Sequence, residues 1–129
     1  MKKDFNFDIK ESWIKKFGYA FKGLFIALKE EKTLIVDFII AAIVITIASI
    51  LHKHLKIIDW IILAMVICLV ISMELINTAV ENLVDVVSFT YSYNAKNIKD
   101  ISAAATLVLS IMSVMVAVLI IIWRTLGIE

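Results

Sequence analysis

The chain contains no proline, only three glycines and a single cysteine among its 129 residues. Proline and glycine are the residues that most often interrupt helices, so their scarcity favours long uninterrupted helices. One cysteine forms neither an internal disulfide nor a zinc site. Cys68 lies in an apolar run, where we expect it to pack as a small apolar residue.

Acidic and basic side chains almost cancel, leaving a formal net charge of +1. A nucleic-acid groove needs a basic stripe interleaved with exposed aromatic residues, and the sequence shows none, so we expect no nucleic-acid partner. Hydrophobic residues make up 62% of the chain, which is more than so small a soluble domain can bury. The composition therefore predicts one integral-membrane domain over residues 1–129.

Three apolar stretches are long enough to cross a bilayer, because about 20 helical residues span a hydrocarbon core of about 30 Å. They must be helical, since lipid offers no water to satisfy open backbone groups. The predicted spans are residues 34–51, 57–87 and 97–124. The predicted fold class is an all-α membrane protein.

An amphipathic helix is predicted ahead of the first span, over residues 5–31. Its apolar residues recur at steps of three and four, and its lysines fall on the opposite face. This pattern is typical of a helix lying in the headgroup plane of a membrane. A helix bound by a soluble partner has the same pattern, but attachment to three spans favours the membrane surface.

The distribution of basic residues predicts the orientation of the spans. Ten lysines lie on the side of the N-terminal arm and the second loop, whereas the other side carries two lysines and one arginine, Arg124. Short loops rich in lysine and arginine stay in the cytoplasm. We therefore expect the N-terminus in the cytoplasm and the C-terminus outside.

A stripe of polar residues follows one face of the second predicted span. At about 3.6 residues per turn, one face collects Glu74, Asn77, Thr78, Glu81 and Asp85. Ionisable groups at this depth cost several kcal/mol each unless they are paired, hydrated or metal-bound, so they indicate function. The same predicted membrane level also holds Glu30, Glu31, Asp37, Lys99 and Asp100.

Clustered carboxylates and an asparagine oxygen suit a hard cation such as Mg²⁺. A cation held in this way, with a lysine alongside, is what a polyphosphate substrate needs. A polar clamp between helices is the plainer alternative for Asp37 or Asp85 singly. It explains the whole set poorly, because the acids outnumber the lysines within reach.

Three segments, ELINTAVENLVD, AKNIKDISAAA and GYAFKGL, together resemble the signature of the small bacterial integral-membrane lipid kinases, the diacylglycerol kinase and undecaprenol kinase family. The resemblance covers nearly the whole chain. It implies a homotrimer of three-span subunits in the bacterial plasma membrane. It also implies active sites near the cytoplasmic surface that use ATP and Mg²⁺.

The resemblance further implies roles for individual residues. Glu74 would take the proton from the lipid hydroxyl, and Asn77 would order the site beside it. Glu31 and Glu81 would hold the Mg²⁺ that bridges the ATP phosphates, with Glu31 selected over Glu30 by ungapped alignment. The remaining implied roles are ATP contacts for Tyr19, Glu31, Glu81, Lys99 and Asp100, and supporting positions for Asp37 and Asp85.

The chain also departs from the family pattern near the nucleotide. Ser12 stands where an arginine is expected, and Leu34-Ile35 replaces an aromatic-arginine pair. Asp37 takes a position often held by glutamate, and Thr90 and Ser92 replace more polar loop residues. The nucleotide contact of the expected arginine is therefore lost or supplied by Lys15 or Lys16.

The expected function is ATP-dependent phosphorylation of a membrane lipid alcohol. Residues Ala95-Lys96 and Lys99-Asp100 resemble the A-K-x-x-K-D form of the undecaprenol kinases, which favours undecaprenol; diacylglycerol is the alternative substrate. A small ion- or proton-translocating oligomer is the alternative from another class, since acids inside a membrane also mark ion paths. It is disfavoured because the outer halves of the spans hold almost no polar groups. A purely structural scaffold is the third alternative.

Overall fold

The computed structural model describes residues 9–51, 53–88 and 92–127. These ranges contain four helices, α1 (Ile9–Glu30), α2 (Lys32–Ile50), α3 (Ile57–Val87) and α4 (Tyr93–Thr125), and no strand. The all-α fold class is therefore confirmed. Some predicted features lie outside the described residues. They are residues 5–8 of the predicted surface helix, the side chain of Ser12 and the whole of Thr90.

Helices α2, α3 and α4 are each long and apolar enough to cross a membrane. In no span is more than 22% of the most apolar window buried within the chain, so most of their apolar surface faces outward. Two of these helices extend beyond the predicted spans. α2 begins at Lys32 and α4 at Tyr93, because polar residues ahead of each apolar stretch continue the helix into the interface.

Three buried side chains, two of them alanines, join the three spans. Ala48 of α2, Leu63 of α3 and Ala117 of α4 form a buried cluster near one end of the bundle. Without water to drive apolar surfaces together, helices in lipid associate through such close packing. Leu34, at the other end of α2, is also fully buried.

A single residue separates α1 from α2. Glu31 has extended backbone angles, φ −111° and ψ 113°, and its amide donates a hydrogen bond of 2.8 Å to the carbonyl oxygen of Ala27. The turn is therefore tight, and α1 leaves the spans at their polar end. Phe17, Phe21 and Phe25 of α1 remain 60–71% exposed within the chain, as expected for a helix whose apolar face meets a membrane.

An ion pair that was not predicted joins the start of α3 to the end of α4. Arg124 donates from Nε to Asp59 Oδ2 at 2.8 Å and from Nη2 to Oδ1 at 3.1 Å. The backbone amide of Lys56 donates to the same Asp59 Oδ2 at 2.7 Å. Asp59 is only 5% exposed, so this end of the bundle contains a buried carboxylate whose two oxygens both accept hydrogen bonds.

We expect Asp59→Ala to lower the free energy of unfolding by about 3 kcal/mol, because removing one partner leaves Arg124 without the carboxylate that it binds. Unfolding by SDS in mixed micelles, followed by circular dichroism, measures the change. The double variant Asp59→Ala/Arg124→Ala should lose less stability than the sum of the two single variants. Additive losses would contradict a direct pairing energy.

Candidate active site

A polar groove of about 320 Å³ opens between the start of α2, the carboxyl-terminal half of α3 and the middle of α4. We call it the acidic groove. Four carboxylates line it, together with one amide and three hydroxyl groups. Its polar lining residues are Glu31, Thr33, Asp37, Glu74, Asn77, Glu81, Thr106 and Ser110.

Helix α3 contributes three of these side chains because Glu74, Asn77 and Glu81 are spaced by three and four residues. Asn77 is 7% exposed, and its Nδ2 donates to Glu81 Oε1 at 3.0 Å. Its own Oδ1 is buried without a hydrogen-bond partner among the described residues. A buried acceptor without a donor is costly, and a ligand or water that approaches it would remove that cost.

Glu74 is the most deeply buried carboxylate of the groove, with 5% of its surface exposed. The hydroxyl of Thr33, on α2, donates a hydrogen bond to its Oε1. The hydroxyl of Thr78 lies on the same face of α3 but donates to the backbone carbonyl of Glu74 at 3.0 Å. The hydroxyl of Thr78 is thus satisfied within its own helix. Thr78 does not line the acidic groove.

Glu31 projects into the acidic groove from the joint between α1 and α2. Partial burial raises its pKa above the usual value, and the negative charges of Glu81, Glu74 and Glu30 raise it further. The positive charge of Lys99 acts in the opposite direction. The acids thus repel one another more than nearby lysine compensates, and a bound cation would relieve this repulsion.

The donors of the acidic groove fit Mg²⁺ in kind, since Mg²⁺ prefers carboxylate and other oxygen ligands. In the described part of the chain, no three His, Cys, Asp or Glu side chains are close enough together to hold a metal ion. Mg²⁺ usually takes one or two carboxylates and completes its shell with waters and substrate phosphates. The acidic groove, which Glu31 and Glu81 both line, therefore offers ligands of the kind that Mg²⁺ needs.

The structure does not bring every predicted site residue into the acidic groove. Asp85 forms an ion pair with Lys99, with 2.6 Å between the carboxylate oxygen and Nζ, which is the outcome that the clamp alternative allowed. Tyr19 on α1 is 69% exposed, and Asp100 is also exposed. None of these four lines the acidic groove.

Three lining residues, Thr33, Thr106 and Ser110, were not predicted from the sequence. Thr106 is buried, with 7% of its surface exposed. Thr33 is two residues after Glu31, a predicted site residue, and this closeness in sequence was the signal that could have identified it. Glu30 turns away from the acidic groove and accepts a hydrogen bond of 3.1 Å from Nδ2 of Asn82.

Sequence comparisons bear on what this site does. The family described as prokaryotic diacylglycerol kinase matches residues 18–121. A diacylglycerol kinase of Synechocystis is 39% identical over 101 residues, which cover 78% of this chain and 57% of that protein. An undecaprenol kinase of Bacillus subtilis is 31% identical over 108 residues, which cover 84% and 86% of the two chains. This chain thus spans little more than half the length of the Synechocystis relative.

Adjacent acids at the α1–α2 joint provide a matched test of cation binding. We expect Glu31→Gln to weaken binding of Mn²⁺, a paramagnetic substitute for Mg²⁺, by about tenfold, whereas Glu30→Gln should change it by less than about twofold. The reason is that Glu31 lines the acidic groove and Glu30 contacts Asn82 instead. Electron paramagnetic resonance of free Mn²⁺ measures both. A larger effect of Glu30→Gln would contradict the assignment.

Proposed function

Because this chain belongs to the prokaryotic diacylglycerol kinase family, we propose that it is a lipid kinase. It transfers the γ-phosphoryl group of ATP to the hydroxyl of a membrane lipid alcohol. The observation that carries this proposal is the buried Glu74 in one groove with Asn77, Glu81 and Glu31, at the polar end of an apolar span. There a lipid hydroxyl at headgroup depth and a nucleotide from the aqueous side can meet.

In the proposed reaction Glu74 is the general base. It accepts the proton of the lipid hydroxyl as the oxygen bonds to the γ-phosphorus, and the bond from that phosphorus to the bridging oxygen of ADP breaks. ADP and the phosphorylated lipid leave, and Glu74 then releases its proton. Asn77 orders this site by holding Glu81 through its amide.

Glu31 and Glu81 are the proposed ligands of Mg²⁺, which when bound neutralises negative charge on the ATP phosphates. Tyr19, Lys99 and Asp100 remain proposed nucleotide contacts. They lie outside the acidic groove of one chain. This arrangement agrees with a homotrimer whose subunits share each site, as the family resemblance implies.

We place the chain in the bacterial plasma membrane with its N-terminus in the cytoplasm, where the acidic groove meets ATP. Single cysteines added at either terminus of a Cys68→Ser variant test this orientation. An impermeant thiol reagent applied to intact cells should label the C-terminal cysteine only, and applied to inverted vesicles the N-terminal one only. Labelling of both termini from one side would contradict a three-span topology.

Undecaprenol is the substrate that we favour. An apolar groove between the three spans meets the acidic groove at Asp37 and Ser110, and it holds only about 70 Å³. Its other lining residues are apolar except for Ser113, whose hydroxyl donates to the carbonyl of Leu109 at 2.9 Å. An isoprenoid chain needs no polar partner along its length, whereas the ester carbonyls of diacylglycerol offer acceptors that a selective site would contact.

We expect kcat/KM for undecaprenol to exceed that for diacylglycerol by at least about tenfold, or roughly 1.4 kcal/mol of transition-state discrimination. Both lipids are assayed in the same mixed micelles at equal surface concentration. A preference for diacylglycerol would reverse the substrate assignment while leaving the kinase proposal intact.

Glu74→Gln should remove nearly all phosphoryl transfer and leave the helical content unchanged, because the amide keeps the shape of the side chain and accepts no proton. Incubation of the purified protein with labelled ATP, Mg²⁺ and a lipid alcohol measures transfer. Retention of more than about a tenth of the wild-type rate would exceed what the loss of a general base allows, and would exclude Glu74 from that role.

A further inference from the structure

Thr33 is the residue through which α2 holds the carboxylate of Glu74. The two residues are 41 positions apart in sequence, and the Thr33 hydroxyl donates to Oε1 of Glu74. Among the described residues, this is the one hydrogen bond that a side chain donates to that carboxylate. The contact therefore links two helices at the most deeply buried acid of the acidic groove.

The neighbouring side-chain donors on α3 contact other acceptors. The amide of Asn77 donates to Glu81 at 3.0 Å, and the hydroxyl of Thr78 donates to the backbone carbonyl of Glu74 at 3.0 Å. Without the Thr33 hydroxyl, the Glu74 carboxylate would lose the side-chain hydrogen bond that it accepts from a described residue. Its plane would then turn more freely about the last side-chain bond, which is a broad torsion.

We propose that Thr33 is a positioning residue for Glu74: it occupies Oε1 and thereby directs Oε2 to the hydroxyl of the lipid substrate. This inference rests on the proposed role of Glu74 as the base. A hydrogen bond to a carboxylate stabilises its ionised form and restricts its orientation. Thr33 is also the second residue of α2, two positions after Glu31. The start of α2 thus sets the base and the proposed Mg²⁺ ligand relative to each other.

Thr33→Val tests this role, because valine keeps the shape and lacks the hydroxyl. We expect kcat to fall by about 10- to 100-fold, the loss typical of a hydrogen bond to a charged group, with little change in KM for ATP. Thr33→Ser retains the donor and should stay within about threefold of the wild type. Thr46→Val is the matched control, since the Thr46 hydroxyl donates only to its own helix, at Ala42, and should leave kcat unchanged.

An infrared measurement separates this inference from the proposed function. The difference spectrum between the wild type and Glu74→Gln identifies the carboxylate stretch of Glu74, which Thr33→Val should shift and Thr33→Ser should preserve. Circular dichroism checks that each variant is folded. An unshifted band together with an unchanged kcat in folded Thr33→Val would overturn the positioning role. A shifted band in a protein that phosphorylates no lipid alcohol would instead overturn the proposed function.

Discussion

Charge without a partner is costly in an apolar medium, and the two ends of α3 meet this cost in different ways. At its start, Asp59 is matched by a guanidinium and a backbone amide, so that charge and hydrogen bonds are both satisfied. At its other end, the donors to Glu74 and Glu81 are neutral, a threonine hydroxyl and an asparagine amide. The first arrangement is complete in itself, whereas the second leaves negative charge that a cation would balance.

Helical periodicity was sufficient to predict a central part of the site. Residues on one face of one helix are neighbours whatever the helix packs against, so Glu74, Asn77 and Glu81 were predictable as a set, and all three line the acidic groove. Asp85 belongs to the same face but pairs with Lys99 instead. Periodicity tells which side of a helix a residue occupies, and it does not tell where along the helix a groove ends.

Contacts between helices were not predicted from the sequence. The hydrogen bond from Thr33 to Glu74 and the ion pair of Asp59 with Arg124 join residues 41 and 65 positions apart. Each depends on the rotation and the axial register of two helices, which no local pattern fixes. The ion pair did have a signal: an acid at the start of one span and an arginine at the end of the next antiparallel span lie at the same end of the bundle.

At the joint between α1 and α2, two adjacent acids have different surroundings. Glu30 ends α1 and contacts Asn82, while Glu31 leaves the helix with extended backbone angles and reaches the acidic groove. A helical residue at position 31 would be rotated by about 100° from its neighbour and would stay on the α1 surface. The break in helical geometry therefore directs one of two adjacent acids to the groove, and α2 then starts close enough for Thr33 to reach Glu74.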